Sequence, residues 1–412
     1  MRLRQGCVKE AIRLAREDAH PPFPPVFLSH QQGDGLALSK RFGEAWASVA
    51  SLDAAVLDTA MAVVQDKGPD AMMPGKNASR RGAKPARVRI KIVIRCYPGA
   101  LARELRRGRR DVAGQGKREE RMKLVRFGPR GGERPGVWLE TGDKAGAEIL
   151  DVRAMAFDIE DYDGRFFAGH GLARLERLIA ERNRKTVPAG SVRLGPPLAR
   201  PGKIMCLGKN YADHAKEFDS AIPESPIVFS KAASAINGPF DPVELAPSAG
   251  GVDWEVELAV VIGSECRRVS EAGAMAHVAG YMILNDVTDR DAQKAAGQWF
   301  RGKSADTFCP MGPFMVTAGD VPDPHRLRLR SWRNGELFQD GNSAQMLFKI
   351  PALIAFLSAA ITLEPGDVIA TGTPAGIGAA RRPPVTLQPG DTVELEVEGL
   401  GRQASPVRRV AP

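Results

Sequence analysis

Cysteine is scarce and scattered: Cys7, Cys96, Cys206, Cys266 and Cys309 are odd in number and include no C-x-x-C. That pattern excludes a disulfide framework and a thiolate zinc site, and reads as the reduced thiols of a cytoplasmic protein. No apolar run approaches the roughly 20 residues that cross a bilayer, so no membrane span is expected. The first residues are basic, but no apolar stretch follows them, and no secretory signal is expected. Aromatic residues are few, at 6%. None interleaves with the densest positive charge, where a single-strand nucleic-acid binder would place its stacking platforms.

What the chain has in excess is positive charge, and it is confined to one end. Residues 1–121 hold 24 Lys and Arg against 13 Asp and Glu, whereas the rest holds 34 against 36. The net +9 of the whole is therefore no signature of the body. Helical spacing marks 8–18 and 45–65, and alternation marks one strand over 88–94. Between them lie PPFPP and Gly/Lys/Arg tracts, which suit a disordered or non-native extension better than a nucleic-acid or membrane-surface arm. Residues 116–121 can be encoded by purine-rich RNA directly before Met122, as a bacterial ribosome-binding site would be. Met122 is thus a candidate initiator.

The chemistry gathers around GVDWEVELAVVIG (251–263) and LNDVTDRD (284–291). On a strand over 254–262, Glu255 and Glu257 share one face while Val256 and Leu258 take the other. Two carboxylates so placed repel unless a cation lies between them. Asp286, just beyond a second apolar strand over 279–284, would complete a three-carboxylate site for Mg²⁺ or Mn²⁺, with Ca²⁺ a further hard ion of this class. A solvated strand face is the plain alternative, but the following LAVVIG argues for burial.

Further along come groups able to move protons or bind anions. His214 and Glu217 stand three apart after an apolar strand; on a helix they share a face, and a carboxylate on one imidazole nitrogen makes the other a better base. Arg290 and Gln293 follow Asp286 at helical spacing and could hold a substrate carboxylate and carbonyl. Residues 297–304, GQWFRGKS, match the G-x-x-x-x-G-K-[ST] expression. A helical lead-in and a loop crowded by Trp299, Phe300 and Arg301 speak against a phosphate loop. Lys303 is better read as an ammonium that stabilises an oxyanion or enolate. TGTPAGIG (371–378) offers bare backbone N–H groups and hydroxyls, with Thr373 the candidate for an anionic head group. Tyr211 and Lys231 are weaker candidates.

Short strands over 122–126, 137–140 and 149–151, then a helix over 173–184, suggest a small β-rich N-terminal domain over 122–200, closed by a Pro-rich linker. Over 201–412, eight strands (203–208, 226–231, 254–262, 279–284, 313–317, 326–332, 367–371, 391–397) outnumber helices at 211–217, 289–297 and 350–359. The expected class is α+β, mainly β, as a mixed roll or sandwich.

The blocks KIMCLGKNYADHAKE, PIVFSKAASAINGP, DWEVELAVVIG, NDVTDRDAQ, RGKSADTFCPMGP and LEPGDVIATGTPAGIG, in that order, resemble the fumarylacetoacetate hydrolase family. Within it the chain looks most similar to a bacterial branch with acylpyruvate and 2,4-diketo-3-deoxy-sugar-acid hydrolases and chains labelled ureidoglycolate lyase. The resemblance implies the family's mixed β roll, a homodimer, and a site where His214 and Glu217 activate water. It also gives Arg290, Gln293 and Thr373 to the substrate, and puts Lys303 and Thr307 at the metal edge. The expected activity is metal-dependent cleavage of a carbon–carbon bond in a small 2,4-dioxo acid with release of pyruvate. Decarboxylation, isomerisation or hydration of 2-oxo acids, or ureidoglycolate cleavage, would use the same site. A nucleic-acid-binding protein driven by the basic arm is the rival from another class.

Overall fold

A computed structural model describes residues 62–64, 92–94, 121–141, 146–217, 221–295 and 297–411. The chain divides into two units, Met1–Lys117 and Arg118–Pro412. In the first, strands Ala62–Val64 and Ile92–Ile94 pair antiparallel. The latter agrees with the expected strand over 88–94. The former corrects the end of the helix expected over 45–65, where two adjacent valines favour the pleated surface. The rest of that helix and the one at 8–18 lie outside the described residues.

In the second unit, apolar runs bounded by Gly and Pro form one eleven-stranded sheet. Its strands in chain order are β1 (Lys123–Phe127), β2 (Arg134–Glu140), β3 (Ala147–Asp151), β4 (Thr186–Pro188), β5 (Leu194–Gly195) and β6 (Ile204–Gly208). There follow β7 (Ile227–Ser230), β8 (Val256–Ile262), β9 (Val278–Asn285), β10 (Met315–Thr317) and β11 (Val368–Ala370). They lie in the order β4-β3-β2-β1-β10-β9-β8-β11-β6-β7, with β5 on the end of β1. All neighbours are antiparallel except β11 and β6. Through the β1–β10 pairing, the strands of 122–200 extend the same sheet as the strands that follow.

A second, five-stranded sheet runs Val243–Leu245, Gly401–Arg409, Thr392–Val397, Arg328–Arg333, Glu336–Asn342. The last two are joined by Asn334 and Gly335 at φ of 51° and 83°, the positive pair that a type I′ hairpin turn demands.

Strand β8 lies between two cores and is buried throughout. Val256, Leu258, Val260 and Ile262 pack with Leu329, Phe338, Val393 and Leu395 of the second sheet. Ala259 and Val261 face the other core, with Met282, Leu284 and Val368. Full burial of such side chains contributes about 1.5–3 kcal/mol each. A central strand with both faces covered can therefore carry ionised groups at its end without losing its place. The fold is mainly β, with helices such as Ala212–Glu217 (α1), Arg290–Ala295 (α2), Phe300–Lys303 (α3) and Ile350–Ala360 at its margins.

Candidate active site

The site forms where β8 and β9 meet. Val256 faces Asn285 and Glu257 faces Leu284 in antiparallel register. Beyond that register, Asp286 N donates to Glu255 O at 3.0 Å and Glu255 N donates to Asn285 Oδ1 at 3.2 Å. Glu255 thus precedes the strand and is not part of it, a correction to the continuous strand expected from 254; the Asn285 side chain takes the N–H that a ladder would use. Glu255, Glu257 and Asp286 are all buried, and each offers one oxygen within 4.8 Å of the others.

Three cations surround this acid group. Lys303 Nζ donates to Glu255 Oε2 at 2.8 Å and to Asp286 Oδ2 at 2.6 Å, with the Phe229 ring 4.9 Å away. Lys231 Nζ donates to Asp286 Oδ1 at 2.7 Å. The Arg290 guanidinium pairs with Glu255 and with Asp253, 2.8 Å from Asp253 Oδ2, and donates to Gln293 at 3.2 Å. Burial raises Glu255, but Lys303, Arg290 and then His214 outweigh it and hold the carboxyl well below its ordinary value. Glu257 goes the other way: burial first, then Asp286 and Glu255, push it well above the carboxylate range. Burial disfavours the charge on Lys303, yet Asp286 and Glu255 keep its ammonium more strongly protonated than usual.

This donor set fits a hard divalent cation. Three oxygen donors converge, and the repulsion from Asp286 and Glu255 that adds to burial in raising Glu257 is the kind a cation relieves.

On α1, His214 Nδ1 lies 3.1 Å from Glu217 Oε2, and the other Glu217 oxygen accepts from Gly376 N at 2.7 Å. His214, Glu255, Glu257, Arg290, Gln293, Lys303 and Thr373 all line a cavity of about 310 Å³. Phe229 and Trp299, edge to face at 5.2 Å, supply its apolar wall. Asp286 and Glu217 stand behind this lining. Tyr211 is fully buried outside it, its hydroxyl without a partner among the described residues.

Two expected substrate contacts are already engaged. The Thr373 hydroxyl donates to Val256 O at 2.9 Å and accepts from Gln339 Nε2 at 2.7 Å. Arg290 is held by acids. The 297–304 segment is no phosphate loop: Gly302 lies in α3 with Asp289 O 2.6 Å from where a Cβ would stand. Sequence reasoning gave no role to Asp253 or to Gln339, and ranked Lys231 below its place here. A lysine closing the apolar strand β7 was the available signal. Of the bare backbone N–H groups expected at 371–378 to meet an anionic head group, those of Gly372 and Gly376 instead donate to Glu257 and Glu217.

The family description "Fumarylacetoacetate (FAA) hydrolase C-terminal" matches residues 203–408. The chain belongs to the fumarylacetoacetate hydrolase family. Among relatives, the mitochondrial oxaloacetate tautomerase of Homo sapiens is 44% identical over 283 residues, 68% of this chain and 90% of that one. A fumarylacetoacetate hydrolase from Exiguobacterium antarcticum is 38% identical with a TM-score of 0.59, covering 70% of this chain and 100% of its own. A 2-hydroxyhepta-2,4-diene-1,7-dioate isomerase from Mycobacterium marinum is 35% identical with a TM-score of 0.55, covering 71% and 100%. The family thus joins hydrolases, isomerases and a tautomerase, and the chain is an enzyme of this family. Among the described residues no helix is long and apolar enough to cross a membrane.

Proposed function

We propose that this enzyme hydrolyses the C–C bond of a small 2,4-dioxo acid, adding water across it to give a carboxylic acid and pyruvate. The observation that carries the reading is His214 in the same cavity as Glu255 and Glu257, with Glu217 braced behind it. Glu255, Glu257 and Asp286 would hold Mg²⁺ or Mn²⁺. When bound, such an ion supplies Lewis-acid polarisation of the 2-oxo acid. His214, oriented through Nδ1 by Glu217, takes a proton from water at Nε2, and the water oxygen attacks the C4 carbonyl. Breaking the C3–C4 bond leaves the electron pair on C3 as the enolate of pyruvate, whose oxygen the Lys303 ammonium stabilises and whose C3 takes up a proton. Phe229 and Trp299 keep that edge of the cavity apolar, which strengthens these charge interactions. The test is divalent-ion-dependent pyruvate release from a panel of 2,4-dioxo acids; turnover that survives chelation would reject the reading.

A second reading, enol–keto tautomerisation of a 2-oxo acid, is favoured by the 44% identity to a protein named oxaloacetate tautomerase. It needs the same enolate and no attacking water. Oxaloacetate enol decay, assayed beside pyruvate release, separates the two. Assembly as a homodimer, with cytoplasmic residence, belongs to the same proposal, and light scattering at micromolar concentration tests the assembly.

A further inference from the structure

The three site carboxylates that face the 371–378 loop are held by its backbone. Gly372 N donates to Glu257 Oε2 at 2.8 Å, Gly376 N to Glu217 Oε1 at 2.7 Å, and Gly378 N to Asp253 Oδ1 at 3.0 Å. One loop therefore sets a metal-site acid, the brace of the base and the partner of Arg290. The loop is tied to β8 by the Thr371 and Thr373 hydroxyls, which donate to Leu258 O and Val256 O, and a further hold comes from the second sheet. Gln339, with no exposed surface, donates from Nε2 to Thr373 Oγ1 at 2.7 Å and to Pro374 O at 2.9 Å. Its Oε1 accepts from Val256 N at 3.0 Å and from Ser331 Oγ at 2.9 Å. A carbonyl can only accept and an N–H can only donate, so Pro374 O and Val256 N fix the orientation of the amide. All its hydrogen-bonding capacity toward the loop and the strand is committed. The same strand crowds the loop at two glycines: a Cβ on Gly376 would lie 2.2 Å from Phe338 O, and one on Gly341 2.3 Å from Pro374.

We propose that Gln339 is a positioning residue: it clamps the 371–378 loop to the start of β8, so that Glu257 and the His214–Glu217 pair keep a fixed spacing. The metal arm of its test rests on the reading above; the exchange arm does not. Gln339→Met keeps the volume and removes all four bonds. Gln339→Glu keeps the acceptor toward Val256 and Ser331 and replaces only the donor toward the loop. Ser331→Ala removes the Gln339 bond on the side away from the loop, together with the acceptor of Trp254 Nε1 at 3.2 Å.

Amide hydrogen exchange of 371–378 in metal-free protein should quicken about tenfold or more in Gln339→Met, and in Gln339→Glu at a pH where its carboxyl is ionised, and stay within about twofold in Ser331→Ala. Mn²⁺ affinity should fall about 10–100-fold in Gln339→Met, the usual effect of removing an outer partner, and hold in Ser331→Ala. In Gln339→Glu the carboxyl donates only when protonated, so its affinity relative to wild type should decline as pH rises. Unchanged exchange in a folded Gln339 variant overturns the proposal, as does unchanged Mn²⁺ affinity with faster exchange, or an equal loss in Ser331→Ala. If Gln339→Met does not fold, Gln339→Glu decides alone. If wild type binds no Mn²⁺, the metal reading fails and the exchange arm still judges the clamp.

Discussion

Glu217 lies between His214 and Gly376: Oε2 sits 3.1 Å from the imidazole Nδ1, and Oε1 accepts from the glycine N–H at 2.7 Å. The carboxylate is fixed from behind, so the imidazole is fixed in turn. His214→Ala should lower kcat for 2,4-dioxo acid hydrolysis by roughly 10²–10⁴-fold, as for positioned proton transfer, with Mn²⁺ affinity held. Glu217→Gln should cost less, because the Gly376 bond survives. Stopped-flow pyruvate release measures both, and oxaloacetate tautomerisation should outlast the His214 change. Equal loss of both activities would assign His214 to a shared step.

Loss of any member of the acid triad should abolish ion binding. Glu255→Gln, Glu257→Gln and Asp286→Asn are each expected to keep the fold, by circular dichroism, and to lose Mn²⁺ binding and turnover. Full turnover in any of them after chelation would contradict the site.

With a cation held by the proposed site, Glu257 would link its binding to pH. Its folded-state value lies well above the ordinary one, chiefly through burial. Its contribution to stability is then complete below about pH 4.3, the unfolded value, and is lost as pH rises toward the folded one. Metal-free protein should therefore lose Tm across this window, and Glu257→Gln should lose less. A cation favours the ionised form, so the Tm gain on adding Mg²⁺ should grow with pH. Thermal melts between about pH 5 and 8, with and without EDTA, decide it; a gain independent of pH would refute the linkage.

Lys303 is buried between two carboxylates, and removing it leaves each with one remaining cation, Asp286 with Lys231 and Glu255 with Arg290. Lys303→Met should destabilise the metal-free protein by less than the roughly 3–5 kcal/mol that breaking an isolated buried ion pair costs. Added Mg²⁺ should restore part of that, and urea titrations with and without the ion should show it. Equal loss under both conditions would mean the ammonium acts only as packing.

A chain beginning at Met122 should fold and turn over. Met122 N already donates to Asp320 Oδ2 at 2.8 Å, and a terminal ammonium there would meet the same carboxylate. Failure of this shortened chain to fold would show that residues 1–121 are needed.

The main sheet was legible because its strands are apolar runs between Gly and Pro; β6, β7, β8, β9 and β11 lie within two residues of their expected bounds. Strands Glu336–Asn342 and Gly401–Arg409 were not legible, since ELFQDGN and GRQASPVRR bury only some positions and expose charge at others. Asn334-Gly335 was the overlooked hairpin signal. In the site, side chains on neighbouring elements could be read: Glu255 with Glu257, His214 with Glu217. Partners delivered across the fold could not. Arg290 met Asp253, Thr373 met Gln339, and glycine N–H groups met the acids, because pairing of this kind depends on packing that no local spacing encodes.

Glu217 and Gly376, which brace the proposed base, are 159 residues apart in the chain. During synthesis the imidazole therefore has no backed carboxylate until the ribosome has released the distant loop. A nascent or proteolytically shortened chain that stops before that loop carries every acid of the triad and still lacks the Gly376 bond to Glu217, so under the proposed mechanism the base is complete only near the end of translation.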